Sequence, residues 1–186
     1  ANGAAGAMVA ITATLAGGNN QFAATSNDIV YDSTQVDVVM KLNGKPDCTI
    51  NPAINADSAA GKGLSASQPA SPAAMKVLRV GILATDNVNI IPDGLLFTCN
   101  FKIAAAASAG PQTLHNTARA SDPASALVNL SGSDGVITVG GAEPTGTPTP
   151  VLSSAAINLS SANGAAGAMV VSTEMVLFEL LDRAGT

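Results

Sequence analysis

The segment Gly94–Ile103, GLLFTCNFKI, constrains the fold more than any other stretch of the chain. Leu95, Phe97, Cys99, Phe101 and Ile103 fall on one parity, and Thr98, Asn100 and Lys102 on the other. Strand side chains alternate between faces, so this spacing predicts a strand with one face in a core and one in water. MVAITATL at Met8–Leu15 alternates in the same way, and DIVYD (Asp28–Asp32), QVDVVM (Gln35–Met40) and DGVITV (Asp134–Val139) are short apolar runs of strand type. In MKVLRVGILATD (Met75–Asp86) both parities are apolar from Val77 to Leu83, the pattern of a central strand covered on both faces. GGNN, NGKPD, NPAINADSAAGKG, QPASP, IPDG and SDPAS lie between these runs and supply turn chemistry. Short strands punctuated in this way predict an all-β sandwich.

Composition narrows the function classes. Charged residues make up 11% of the chain and the formal net charge is −5, with the eight basic residues scattered. A phosphate-binding face needs clustered Lys and Arg, so nucleic acid is excluded as a partner. No apolar run of about eighteen residues is present, so no helical membrane span is expected. Small residues, Thr, Asn and Val dominate, as in turn-rich extracellular β proteins. A processed N-terminus at Ala1 would account for the lack of a signal-like start.

Cys48 and Cys99 are the only cysteines. In an exported chain such a pair forms a disulfide, worth roughly 3–4 kcal/mol for a loop of about fifty residues; the alternative is two buried thiols acting as small hydrophobes. His115 has no nucleophile or acid partner recognisable in the sequence and reads as a surface histidine. Asp86, Asn87, Asn89 and Asp93 cluster in ATDNVNIIPDG, where oxygen ligands could hold calcium, although turn-capping is the simpler role. Asp28 and Asp32 read as strand-end turn residues. No G-x-S-x-G elbow occurs, and no carboxylate pair sits among aromatics that could grip a sugar, so no catalytic residue is assigned. Tyr31 alone is a poor stacking platform for a polysaccharide. N-x-S sequons occur at Asn129 and Asn158.

Two further features concern organisation. Residues 140–150, GGAEPTGTPTP, cannot form a core and read as an extended linker, dividing the chain into 1–139, 140–150 and a tail, 151–186. The tail is too short to fold unaided. Its last part, STEMVLFELLDR, is assigned to strand in preference to a helix capped by Ser172 or Thr173. In addition, ANGAAGAMV at Ala1–Val9 recurs letter for letter at Ala162–Val170. Chance does not explain a nine-residue identity in a chain of 186.

Taken together, NDIVYDSTQVDVV, KPDCTINPAI, VLRVGILATDNVNIIPDGLLFTCNFKI, ASDP and SDGVITV resemble the bacterial extracellular cohesin-like domains, related to the carbohydrate-binding β-sandwiches, over about residues 1–139. The resemblance implies a jelly-roll-like sandwich of about nine strands in a surface or scaffold protein, and the Cys48/Cys99 pair looks like a family feature. Cohesins proper bind dockerins, calcium-loaded helical modules, but no dockerin-binding surface can be placed on named residues here. In such domains a strand precedes the turn that ANGAAG forms. Here that strand is missing before Ala1, yet AINLSS stands directly before the second ANGAAGAMV.

The tail is therefore expected to add a strand to a sandwich. Ile157 and Leu159 would fill core, and Gly164 and Ala165 would allow a close turn. Met169, Val170, Val176, Leu177 and Phe178 would extend the buried contact. Three outcomes stay open: the tail completes its own domain; it completes a neighbour, building a head-to-tail homopolymeric filament; or it begins a tandem repeat. The expected function is a non-enzymatic extracellular filament subunit, with a cohesin-type or carbohydrate-binding module of a larger scaffold, binding dockerin or polysaccharide, as the alternative.

Overall fold

A computed structural model describes residues 1–17, 21–71, 74–128, 130–140 and, by their backbone, 156–161. The strands in chain order are β1 (Asn2–Gly3), β2 (Met8–Ala16), β3 (Ala24–Asp32), β4 (Val36–Val38), β5 (Cys48–Ile50), β6 (Gly63–Ser67), β7 (Met75–Leu83), β8 (Gly94–Ile103), β9 (Gly110–Ser121), β10 (Leu127–Val128), β11 (Ser131–Ser133), β12 (Gly135–Val139) and β13 (Ala156–Ser161). They form two sheets, ordered β1-β12-β9-β3-β7-β6, with β10 on β9, and β11-β13-β2-β8-β4, with β5 also on β8. β4 and β5 share one neighbour. β11 runs on into β12 across Asp134. With each of these pairs taken as one strand and the two-residue β10 left aside, ten strands remain among the described residues, close to the expected number of about nine.

The core is the apolar parity of each strand. On β2 it is Val9, Ile11, Ala13 and Leu15; on β8 it is Phe97, Cys99, Phe101 and Ile103. Leu95 departs from the expected pattern, being 39% exposed while Leu96 is fully buried. The ladder to β2 explains this: Ala13 pairs with Phe97 but Thr14 with Leu95, so a bulge at Leu96 flips the parity at the start of β8. β7 also differs from expectation. Leu78, Val80 and Ile82 are buried, but Leu83 and Met75 are exposed, so one face of β7 is open. β9 carries no strong sequence signal although it is the longest strand. Its inward residues are Leu114, Asn116, Ala118 and Ala120, too small or too polar to register as an apolar face.

The Cys48 and Cys99 sulfurs are bonded. The two residues face each other across the β5–β8 ladder and both are buried. At a separation of 51 residues the chain-entropy model assigns the link about 4 kcal/mol. Nearby, Tyr31 packs edge-on against Phe101 at 5.3 Å between centroids. Its hydroxyl donates to Asp37 Oδ1 at 2.9 Å and accepts from Gln68 Nε2 at 2.7 Å, so this buried phenol is fully hydrogen-bonded.

Asp134 marks the place where the chain passes from one sheet to the other. Its carboxylate accepts from the Asn116 backbone N–H at 2.9 Å and lies 2.9 Å from His115 Nδ1. Just before it, Gly132 lies so close to the Asn116 carbonyl that any side chain there would collide with backbone.

The paired Cys48→Ala/Cys99→Ala variant should lose about 4 kcal/mol of unfolding free energy, read as a lowered urea midpoint. An unchanged midpoint would show that the β5–β8 ladder holds without the link.

Candidate interaction surfaces

Two surfaces stand out, an open sheet face and a strand-shaped slot. The outward residues of β6, β7, β3 and β9 line up by register. Ser65 pairs with Gly81, Gly81 with Ser26, and Ser26 with Arg119; the next row is Ser67, Arg79, Asp28 and Thr117. The first row is nearly bare of side chains at its centre. The result is a shallow groove of about 530 Å³, with Ser26, Gly81 and Ser65 on its floor and Arg79, Arg119, Leu83 and Leu127 along its sides.

The groove has an ion pair at one side. Arg79 donates to both Asp28 oxygens, at 2.6 and 2.8 Å. This hydrogen bonding holds the Asp28 carboxyl below the usual carboxylate range, against an opposing effect of burial. Asp28 is thus a mid-strand anchor and not the strand-end turn residue expected. Arg119 approaches Asp28 only to 3.8 Å and is 63% exposed, so its guanidinium remains available to a partner carboxylate. Asp32 does cap a turn, accepting from the Thr34 backbone at 2.9 Å.

The slot lies at the outer edge of β2. β13 occupies it, antiparallel to β2 from Ala156 opposite Ala16 to Ser161 opposite Ile11. On its other side β13 runs parallel to β11, Ser131 facing Ala156 and Ser133 facing Asn158. The expected strand AINLSS, with Ile157 and Leu159, is therefore formed and placed against β2 of its own chain. Gly164, Ala165, Met169, Val170, Val176, Leu177 and Phe178 lie outside the described residues, as does most of the linker.

The residues of the candidate calcium loop are tied into local hydrogen bonds. Asp93 Oδ2 accepts from the Gly17 backbone at 2.9 Å. Asn87 Oδ1 accepts from Asn89 N and from the buried Lys62, both at 3.1 Å, and Asn87 Nδ2 donates to Asp86 Oδ1 at 3.2 Å. Burial pulls the Lys62 amine below the usual lysine range, with Asp86 opposing. Among the described residues no three His, Cys, Asp or Glu side chains gather to hold a metal ion. His115 is exposed on β9 and its partner, Asp134, comes from a segment nineteen residues away, which no local motif announces.

Comparison with known proteins agrees with the architecture. A family model described as Cohesin domain matches residues 1–139. The solution structure of a cohesin from Clostridium acetobutylicum is 22% identical and superposes with a TM-score of 0.58, covering 78% of this chain and 89% of that one. The sixth cohesin of scaffoldin B from Acetivibrio cellulolyticus, solved in complex with a dockerin, is 17% identical with a TM-score of 0.55, covering 74% and 92%. A non-cellulosomal cohesin from the archaeon Archaeoglobus fulgidus is 14% identical with a TM-score of 0.52, covering 74% and 84%. No curated protein matches the chain at a significant level.

Acid should weaken this scaffold through Asp28 and Asp134. The Asn116 backbone N–H is the main cause holding the Asp134 carboxyl low. Both folded-state values lie below the unfolded value of about 3.9, so their stabilisation is complete above that value and is lost as pH falls through the folded values. Urea midpoints of the wild type and of Asp134→Asn should differ at pH 6, and the gap should narrow as pH falls below the unfolded value. A gap that does not change with pH would contradict this.

Proposed function

The chain belongs to the cohesin family, and on that footing we propose that it is an exported, non-enzymatic protein-binding module whose partner docks on the outer face of the β6–β7–β3–β9 sheet. The observation that carries this reading is the groove floored by Ser65, Gly81 and Ser26. Four adjacent strands span about 14 Å at their ordinary spacing, and a helix with its side chains is about 10–12 Å across. A trough of this width with a small-residue floor suits a helix laid against it. Leu83 and Leu127 supply apolar contact, and Arg119 supplies a site for an acidic side chain. Relatives of this fold have been solved with dockerins, so a dockerin-type helical module is the partner class favoured here. The buried disulfide supports an oxidising, extracellular location. No helix among the described residues is long and apolar enough to cross a membrane.

A second reading has its own support in the place of β13. A strand joined to the domain through a Pro/Thr-rich segment, residues 140–150, can fill the β2 slot of a neighbour as well as its own. Repeated head-to-tail, that contact makes an open filament of identical subunits.

Ser26→Trp and Gly81→Glu fill the groove from outward-facing positions. Either should cut capture of calcium-loaded dockerin modules at least tenfold with little change in melting temperature; unchanged capture would remove this face as the docking surface. Electron microscopy of the full chain beside a chain ending at Gly141 tests the second reading. Filaments from the full chain only would support it, and isolated particles from both would refute it.

A further inference from the structure

The registers of two separate strand pairs coincide with the sequence repeat. Between β11 and β13 each partner number exceeds the other by 25: Ser131 faces Ala156 and Ser133 faces Asn158. Carried along β12 with the same offset, Thr138 would face Asn163 and Val139 would face Gly164. The residues that do face them are Asn2 and Gly3, also in parallel. Asn163 and Gly164 are the equivalents of Asn2 and Gly3 in the repeat. The register of β13 on β11, continued past Ser161, therefore leads to the positions that Asn2 and Gly3 hold on β12.

We propose that Ala156–Val170 is a portable opening segment: its first six residues pair with β2, and its last nine, supplied by a second copy, take the place of Ala1–Val9. This rests on the strand-exchange reading above and adds a competitor to it. The site makes particular demands. Ala1 and Asn2 are buried, and Ala1 N donates to the Val136 carbonyl at 2.7 Å. A side chain at Gly3 would lie 2.8 Å from Ile103 Cδ1 and 2.9 Å from Val9 Cγ1. Gly6 has φ +82°, which favours glycine, and Val9 is buried. Ala162, Asn163, Gly164, Gly167 and Val170 meet every one of these demands.

The same alignment sets the limit of the exchange. Past Val170, Ser172 would fall at Ile11 and Glu174 at Ala13, both fully buried positions. A carboxylate without a partner is not tolerated there, so the exchange ends at Val9 and the rest of β2 stays in place. The exchange swaps nine residues for nine identical ones at little cost. It gains covalent continuity with Ala156–Ser161, so that binding of one half raises the local concentration of the other.

The test adds synthetic peptides to the full chain and follows backbone hydrogen exchange. A peptide of Ala156–Val170 should bind at least tenfold more tightly than one of Ala156–Ser161 and should expose the amides of residues 3–9. A Gly164→Val version should lose that advantage, since the added side chain meets Ile103. If both peptides bind equally and residues 3–9 stay protected, this proposal fails while strand exchange survives. If neither binds, both fail.

Discussion

The outer edge of β2 is the constraint on which the rest of the structure depends. A strand in the body of a sandwich cannot leave its N–H and C=O groups unpaired and its flank of the core open. β2 is paired on its inner side by β8 over nearly its whole length. Its other side is paired by six residues that lie 140 to 150 positions away in sequence. Remove them and β11, which pairs with β13, loses its ladder as well. The Asp134 crossing, the close approach of Gly132 to Asn116, and the β1–β12 pair all lie along this one seam.

The seam and the groove lie on opposite sheets of the sandwich. The sheet that carries the groove is held by β3, β7 and β9, long strands paired through consecutive ladders. It presents small residues and a fixed Asp28–Arg79 pair. Such a surface fits the protein-docking role proposed for it. The opposite sheet is closed by β13, which in sequence follows the Pro/Thr-rich residues 140–150, the feature behind the proposed exchange. On the proposed reading, one face holds a partner and the other engages a second copy of the chain.

Much of this was legible in the letters, and the failures have physical causes. The alternation of Phe97, Cys99, Phe101 and Ile103 names the core face of β8 correctly. Leu95 misleads because a bulge is a matter of pairing, and pairing is not written in one strand. β9 was invisible because Asn116, Ala118 and Ala120 do their inward packing under a neighbouring strand without bulk. The groove was invisible because its floor is assembled from Ser65, Gly81 and Ser26, three small residues on three strands. The repeat was plain as a string, but only the two parallel registers show that Ala1–Gly3 and Ala162–Gly164 belong to one position.

The most direct measurement is a cross-link at the seam. Thr14 and Asn158 face each other in the β2–β13 ladder. With cysteine placed at both positions, mild oxidation should join residues 14 and 158, within one chain or between two, as read by peptide mapping. Either product places Ala156–Ser161 beside β2, and the interchain product shows that a second copy can supply it. Free thiols at both positions, with the Cys48–Cys99 link intact, would contradict the account.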